Sequence, residues 1–64
     1  MKQFNVEVFD ELNQTWDSDA IQGYIEAETA DEAISIAIDY CNDCMITNGY
    51  TPNAGTFVYR ATEI

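Results

Sequence analysis

Apolar and polar positions alternate along residues 2–9, KQFNVEVF, with Phe4, Val6 and Val8 on one side and Gln3, Asn5 and Glu7 on the other. That period of two, with β-branched residues among the apolar set, predicts a strand. Phe9 falls on its polar side. Residues 10–19, DELNQTWDSD, have no period and read as a loop or a wide hairpin connection with Trp16 in its middle. Alternation returns over residues 20–28, AIQGYIEAE. Ile21, Gly23, Ile25 and Ala27 share one face, and Gln22, Tyr24, Glu26 and Glu28 the other. Gly23 marks a bulge or a close backbone approach.

The period then changes. Thr29 with Glu32 three residues on forms the capping-box pattern TADE, and Asp31 and Glu32 suit the positive end of a helix dipole. At 100° per residue, Ala30, Ala33, Ile34, Ala37, Ile38, Tyr40, Cys41, Cys44 and Met45 fall in one arc. Asp31, Glu32, Ser35, Asp39, Asn42 and Asp43 fill the opposite arc, with Ile36 at the margin near Tyr40. The helix is expected to end near Ile46, with Asn48-Gly49 as its stop. Residues 50–55, YTPNAG, are turn chemistry. Residues 56–62, TFVYRAT, predict a last strand with Phe57, Tyr59 and Ala61 on one face and Val58, Arg60 and Thr62 on the other. The expected fold is α+β, one domain over residues 1–64. Its order is β-β-α-β, with a three-stranded sheet in order 2-1-3 and one helix packed on one face.

Length changes this picture little, and charge changes it a good deal. A chain of 64 residues buries about 60% of its unfolded surface, and a core of that size supplies about 3–5 kcal/mol. Twelve acidic residues face only Lys2 and Arg60, with no histidine, for a formal net charge of −10. Such a surface repels nucleic acid and anionic membranes and attracts basic protein surfaces. Residues 1–20 contain Asp10, Glu11, Asp17 and Asp19 and no apolar run of leader length, so neither a signal peptide nor a membrane span is expected. With two closely spaced cysteines expected to be reduced, the reading is cytoplasmic.

Cys41 and Cys44 form a C-x-x-C pair. A structural zinc site needs four ligands, and one chain with two thiols and no histidine closes none; two chains sharing a metal remain open. A redox role needs a thiolate favoured by positive surroundings, whereas this pair lies at a helix C-terminus beside Asp39 and Asp43. Buried core cysteine is the expected role for both. No Ser-His or Cys-His arrangement exists, and no phosphate-cradling glycine motif. DELNQTWDSD offers oxygen ligands but lacks the glycine and terminal glutamate of a calcium loop. The expectation is no enzyme, no cofactor, no metal and no direct nucleic-acid binding.

What remains is where the charge lies. Asp31, Glu32, Asp39 and Asp43 are placed on the back of the helix, with Glu32, Asp39 and Asp43 on one side over roughly 16 Å at 1.5 Å per residue. Asp10, Glu11, Asp17 and Asp19 lie in the first loop, and Glu7, Glu26 and Glu28 on the sheet face away from the helix. Phe9, Tyr24 and Val58 share that open face, which is expected to serve as a contact surface, or to be a sheet face on which Arg60 pairs with a glutamate across strands. Trp16 is either a core lid or an exposed anchor.

GYIEAETADEAISIAIDY, residues 23–40, resembles the strand-helix unit of small β-β-α-β proteins such as the HicB antitoxin family. The whole-chain profile of size and charge resembles the small, acidic, phage-encoded inhibitors of bacterial defence, anti-CRISPR proteins among them. That resemblance implies stoichiometric binding, in a bacterial host cytoplasm, to a nuclease or surveillance complex at a surface meant for nucleic acid. The residues expected to carry it are Glu7, Phe9, Asp10, Glu11, Trp16, Asp17, Asp19, Tyr24, Glu26, Asp31, Glu32, Asp39 and Asp43. The alternative is an antitoxin-like or accessory domain acting through homodimerisation or its open sheet face.

Overall fold

A single long strand organises the chain. β1, Lys2–Asp10, pairs antiparallel with every other strand in a computed structural model that describes residues 1–17 and 23–64. The remaining elements are β2 (Thr15–Asp17), β3 (Ile25–Ala27), α1 (Ala30–Thr47), a 3-10 turn at Ala54–Thr56 and β4 (Tyr59–Glu63). The expected α+β class and order hold, with four strands in place of three. Phe4 pairs with both Ile25 and Glu63, and Val8 with both Asp17 and Tyr59. A strand residue has only two sides, so β4 runs along one side of β1 while β2 and then β3 run along the other. Of the second strand expected over residues 20–28, Ile25–Ala27 forms β3, and β2 is an additional short strand inside the stretch read as a loop. The first residues of the expected strand, and Asp19 and Ile21, lie outside the described residues.

The polar stretch after β1 is not a wide connection. Val8, Phe9 and Asp10 pair with Asp17, Trp16 and Thr15, so the chain reverses within residues 11–14. Asp10 builds that turn: its carboxylate accepts from the backbone N–H of Leu12 at 2.9 Å and from the Asn13 side-chain amide at 2.8 Å. Gln14 takes the left-handed conformation (φ 54°) that closes the reversal. Side-chain hydrogen bonds turn the chain here, and apolar periodicity carries no trace of them.

α1 begins as its sequence dictates, with Thr29 extended and its Oγ1 accepting from the Glu32 N–H at 3.1 Å. β3 and β4 both run antiparallel to β1, hence parallel to each other, and α1 carries the chain between them. It buries Ala33, Ala37 and Cys41 against Phe4 and Val6 of β1 and Ala27 of β3, with Ile25, Ile34, Ile38, Tyr59 and Ala61 packed around them. The last strand starts at Tyr59, later than the alternation from residue 56 implies. Ala54 is fully buried, and its N–H donates to Asn42 Oδ1 of the helix at 2.8 Å while its carbonyl accepts from the Tyr59 hydroxyl at 2.8 Å. These bonds curl residues 54–56 into a 3-10 turn under the helix.

Phe4 is the largest side chain enclosed between helix and sheet. Truncation of Phe4 to alanine should cost about 3–5 kcal/mol, comparable with all that a core of this size supplies. Urea titration followed by circular dichroism should find Phe4→Ala largely unfolded at 25 °C, and a cooperative transition near that of the parent chain would show the core to lie elsewhere.

Candidate functional site

The structure divides the expected contact residues among separate surfaces. On the open sheet face, Glu7 and Arg60 are directly opposed in register, and Arg60 Nε donates to Glu7 Oε1 at 2.9 Å. The Arg60 guanidinium also lies 4.3 Å from the centre of the Trp16 ring. Trp16 in turn meets its cross-strand partner Phe9 edge-on, ring centres 5.2 Å apart. Glu7, Arg60, Trp16 and Phe9 thus form one linked cluster on the uncovered face. Trp16 is half-buried there and is no lid on the core. Glu26 shares this face through its pairing with Gln3, and exposed Tyr24 precedes it by two residues. Val58 lies opposite Phe9, its carbonyl accepting the Phe9 N–H at 2.9 Å.

The helix acids stand on the other side of the molecule. Ala33, Ala37 and Cys41 mark the buried line of α1; at 100° per residue Glu32, Asp39 and Asp43 lie nearly opposite it. All three are exposed, as is Asp31 on the flank. The chain's only lysine and arginine are engaged elsewhere, Lys2 with Glu63 at 3.7 Å and Arg60 with Glu7 at 2.9 Å. No ion pair reaches the helix acids among the described residues. The molecule measures 33 × 25 × 18 Å, so the sheet-face cluster and the helix row are opposite surfaces. Asp10 and Glu11 form a third group at the hairpin. The Asn13 side chain and the backbone of Asn13 and Leu12 hold the Asp10 carboxyl below its usual range. Asp17, paired with Val8, faces the helix side of the sheet.

The cysteines part company. Cys41 is buried, as expected, whereas Cys44 is exposed and both are free thiols. The last turns of α1 have the loop before β4 beneath them rather than the sheet, so the apolar arc is incompletely covered there. Cys41, Cys44 and Met45 line a cleft of about 680 Å³ with Val8, Tyr50 and Phe57. Sequence periodicity assigns Cys44 and Met45 to the core and misses this cleft; the aromatic pair Tyr50 and Phe57 bracketing a proline turn is the one signal that could have marked it. Burial pushes the Cys41 thiol up. It also pushes the Tyr59 hydroxyl up to about 12, with the neighbouring Cys41 adding to the shift. Among the described residues no group of three or more His, Cys, Asp or Glu side chains is placed to hold a metal, and no helix is long and apolar enough to cross a membrane.

Comparison with known protein families, with curated proteins and with solved structures gives no significant match in any of the three. The functional reading rests on geometry and charge.

Tyr59 supplies a pH test of this end of the molecule. Its hydroxyl resists ionisation in the folded chain, so its contribution to stability is complete below pH 10, the ordinary tyrosine value, and is lost between pH 10 and about 12. Tyr59→Phe should cost about 0.5–1.5 kcal/mol at pH 7 through the lost bond to Ala54. It should also flatten the decline in stability above pH 10, measured by denaturant titration at stepped pH. An unchanged alkaline decline would place the titrating group elsewhere.

Proposed function

We propose that this chain is a non-enzymatic inhibitor that presses an acidic surface against a basic, nucleic-acid-binding site on a partner protein, in the manner of a nucleic-acid mimic. The observation that carries the reading is the row Glu32–Asp39–Asp43, exposed on the helix side away from the sheet and without an ion-pair partner among the described residues. Both basic side chains are held by glutamates on the sheet. Charge of one sign on a rigid support steers a basic partner at long range and is screened by salt. The resemblance in size and charge to phage-encoded inhibitors of bacterial defence points the same way, towards a nuclease or surveillance complex in a bacterial cytoplasm. The helix row, with Asp31 beside it, is the primary contact; Glu7, Phe9, Trp16 and Glu26 belong to the opposite surface and cannot share one flat partner site with it.

The test is capture of partners from a bacterial lysate on the immobilised chain, eluted with a salt gradient. Retained nucleic-acid-binding proteins should elute early in the gradient, and the pair Asp39→Lys and Asp43→Lys should abolish their retention. Retention indifferent to both the reversal and the salt would remove electrostatic mimicry.

A second reading, an accessory or antitoxin-like domain acting as a homodimer, is favoured by the open face itself, where Val58 is exposed opposite Phe9 and Tyr24 is exposed just before β3. Sedimentation of the purified chain decides it. A dimer that Val58→Glu dissociates would support this reading, and a monomer at all accessible concentrations would end it.

A further inference from the structure

Two cavities meet at Val8 and Phe57. The first is the cleft of about 680 Å³ beneath the last turns of α1. The second, about 480 Å³, lies on the hairpin side, where Asp10, Glu11 and Leu12 complete its wall. Val8 and Phe57 line both, so the two cavities adjoin as the larger and smaller parts of a groove. Its helix end is walled by thiol, thioether and aromatic side chains together with Asn48, Thr51 and Asn53, and its hairpin end by Asp10 and Glu11 together with Phe9, Leu12 and Thr56. Among the described residues no lysine or arginine lines either part.

We propose that this groove receives a segment of a partner protein in which an aromatic or branched aliphatic side chain neighbours lysine or arginine. The apolar side chain seats among Met45, Tyr50 and Phe57, and the cation meets Asp10 and Glu11. The larger part has the volume of clefts that enclose ligands, about 300–1,000 Å³. Methionine and cysteine walls adapt to the shape of an inserted group. Leu12 at 96% and Tyr50 at 70% exposure are apolar side chains left open at the groove's two ends, and aromatic anchors in such pockets carry much of the binding energy at protein interfaces. Charge selects the occupant: a neutral apolar segment leaves the carboxylate end unanswered, and an acidic one is repelled. Asp10, which lines the smaller cavity, already accepts from Leu12 and Asn13, which fixes its carboxylate within the hairpin turn. It remains ionised well below neutral pH because those donors favour the charged form. The groove does not include the helix row, so this inference stands or falls apart from the inhibitor reading.

The test is an amide-shift titration of the isotopically labelled full chain with the capped peptide N-acetyl-Lys-Lys-Trp-amide. Saturable shifts at Val8, Glu11, Tyr50 and Phe57, with slowed alkylation of Cys44 by iodoacetamide, are expected. Glu11→Lys should weaken binding about tenfold, and Tyr50→Ala should weaken it as well; both residues are exposed, so neither change threatens the fold. The proposal is overturned if shifts do not saturate, if they are confined to residues 32–43, or if N-acetyl-Gly-Gly-Trp-amide binds equally well.

Discussion

Four alanines, Ala27, Ala33, Ala37 and Ala54, are fully enclosed where α1 meets the sheet and the loop before β4, and their small side chains set how closely those layers approach. The rest of the structure depends on that approach. It leaves room for only Phe4 and Val6 as large buried side chains from β1. A larger residue at Ala33 or Ala37 would push the helix off the sheet, and overpacking of this kind costs about 1–3 kcal/mol. Close layers bury little apolar area in so short a chain, so the loop cannot be held by hydrophobic contact alone. It is held instead by Asn42 and Tyr59, which bond the two backbone groups of Ala54 at 2.8 Å each. Such bonds are worth more where the surroundings exclude water.

One helix over one sheet also decides the electrostatics. The covered face takes the apolar residues, and the acids are left to the helix back, the hairpin and the open face. On the open face Glu7 has an answer, because Arg60 stands opposite it and is itself braced by Trp16. On the helix back there is none among the described residues. With 18 Å as the shortest dimension, these are two different environments, one polar-aromatic and internally paired, the other a bare acidic row.

The legible parts of the fold were those written in local periods. Alternation over residues 2–9 matches β1, and the TADE cap with its apolar arc places α1 to within a residue of where it starts. The hairpin was not legible, because Asp10, Asn13 and Gln14 make it through side-chain hydrogen bonds and one left-handed residue, which no pattern of polarity encodes. Cys44 misled for a different reason: the helical wheel records which residues share a face, but not how far along the helix its partner extends. The contact of Arg60 with Glu7 follows from register once strands 1 and 4 are paired. The stack on Trp16 does not, since it needs the hairpin register first. The division of the acids between the helix back and the sheet face away from it was legible, because the helical arc and the strand alternation each place them.

The helix back breaks a rule that the helix front obeys. Asp31 and Glu32 sit in the first turn, where the dipole favours acids, and Thr29 caps the chain there. Asp39 and Asp43, four residues apart, repel one another by about 0.2–0.5 kcal/mol. Asp43 lies just before the last turn, at the negative end of the dipole, and that turn carries no basic residue to offset it. Lysine at either position would relieve the repulsion without touching the core, because both positions are exposed. A chain with so thin a core gains nothing in stability from carrying carboxylates there. Places where a sequence departs from local preference without a structural return are where function is expected, and the positive charge this helix lacks is what a basic partner would bring.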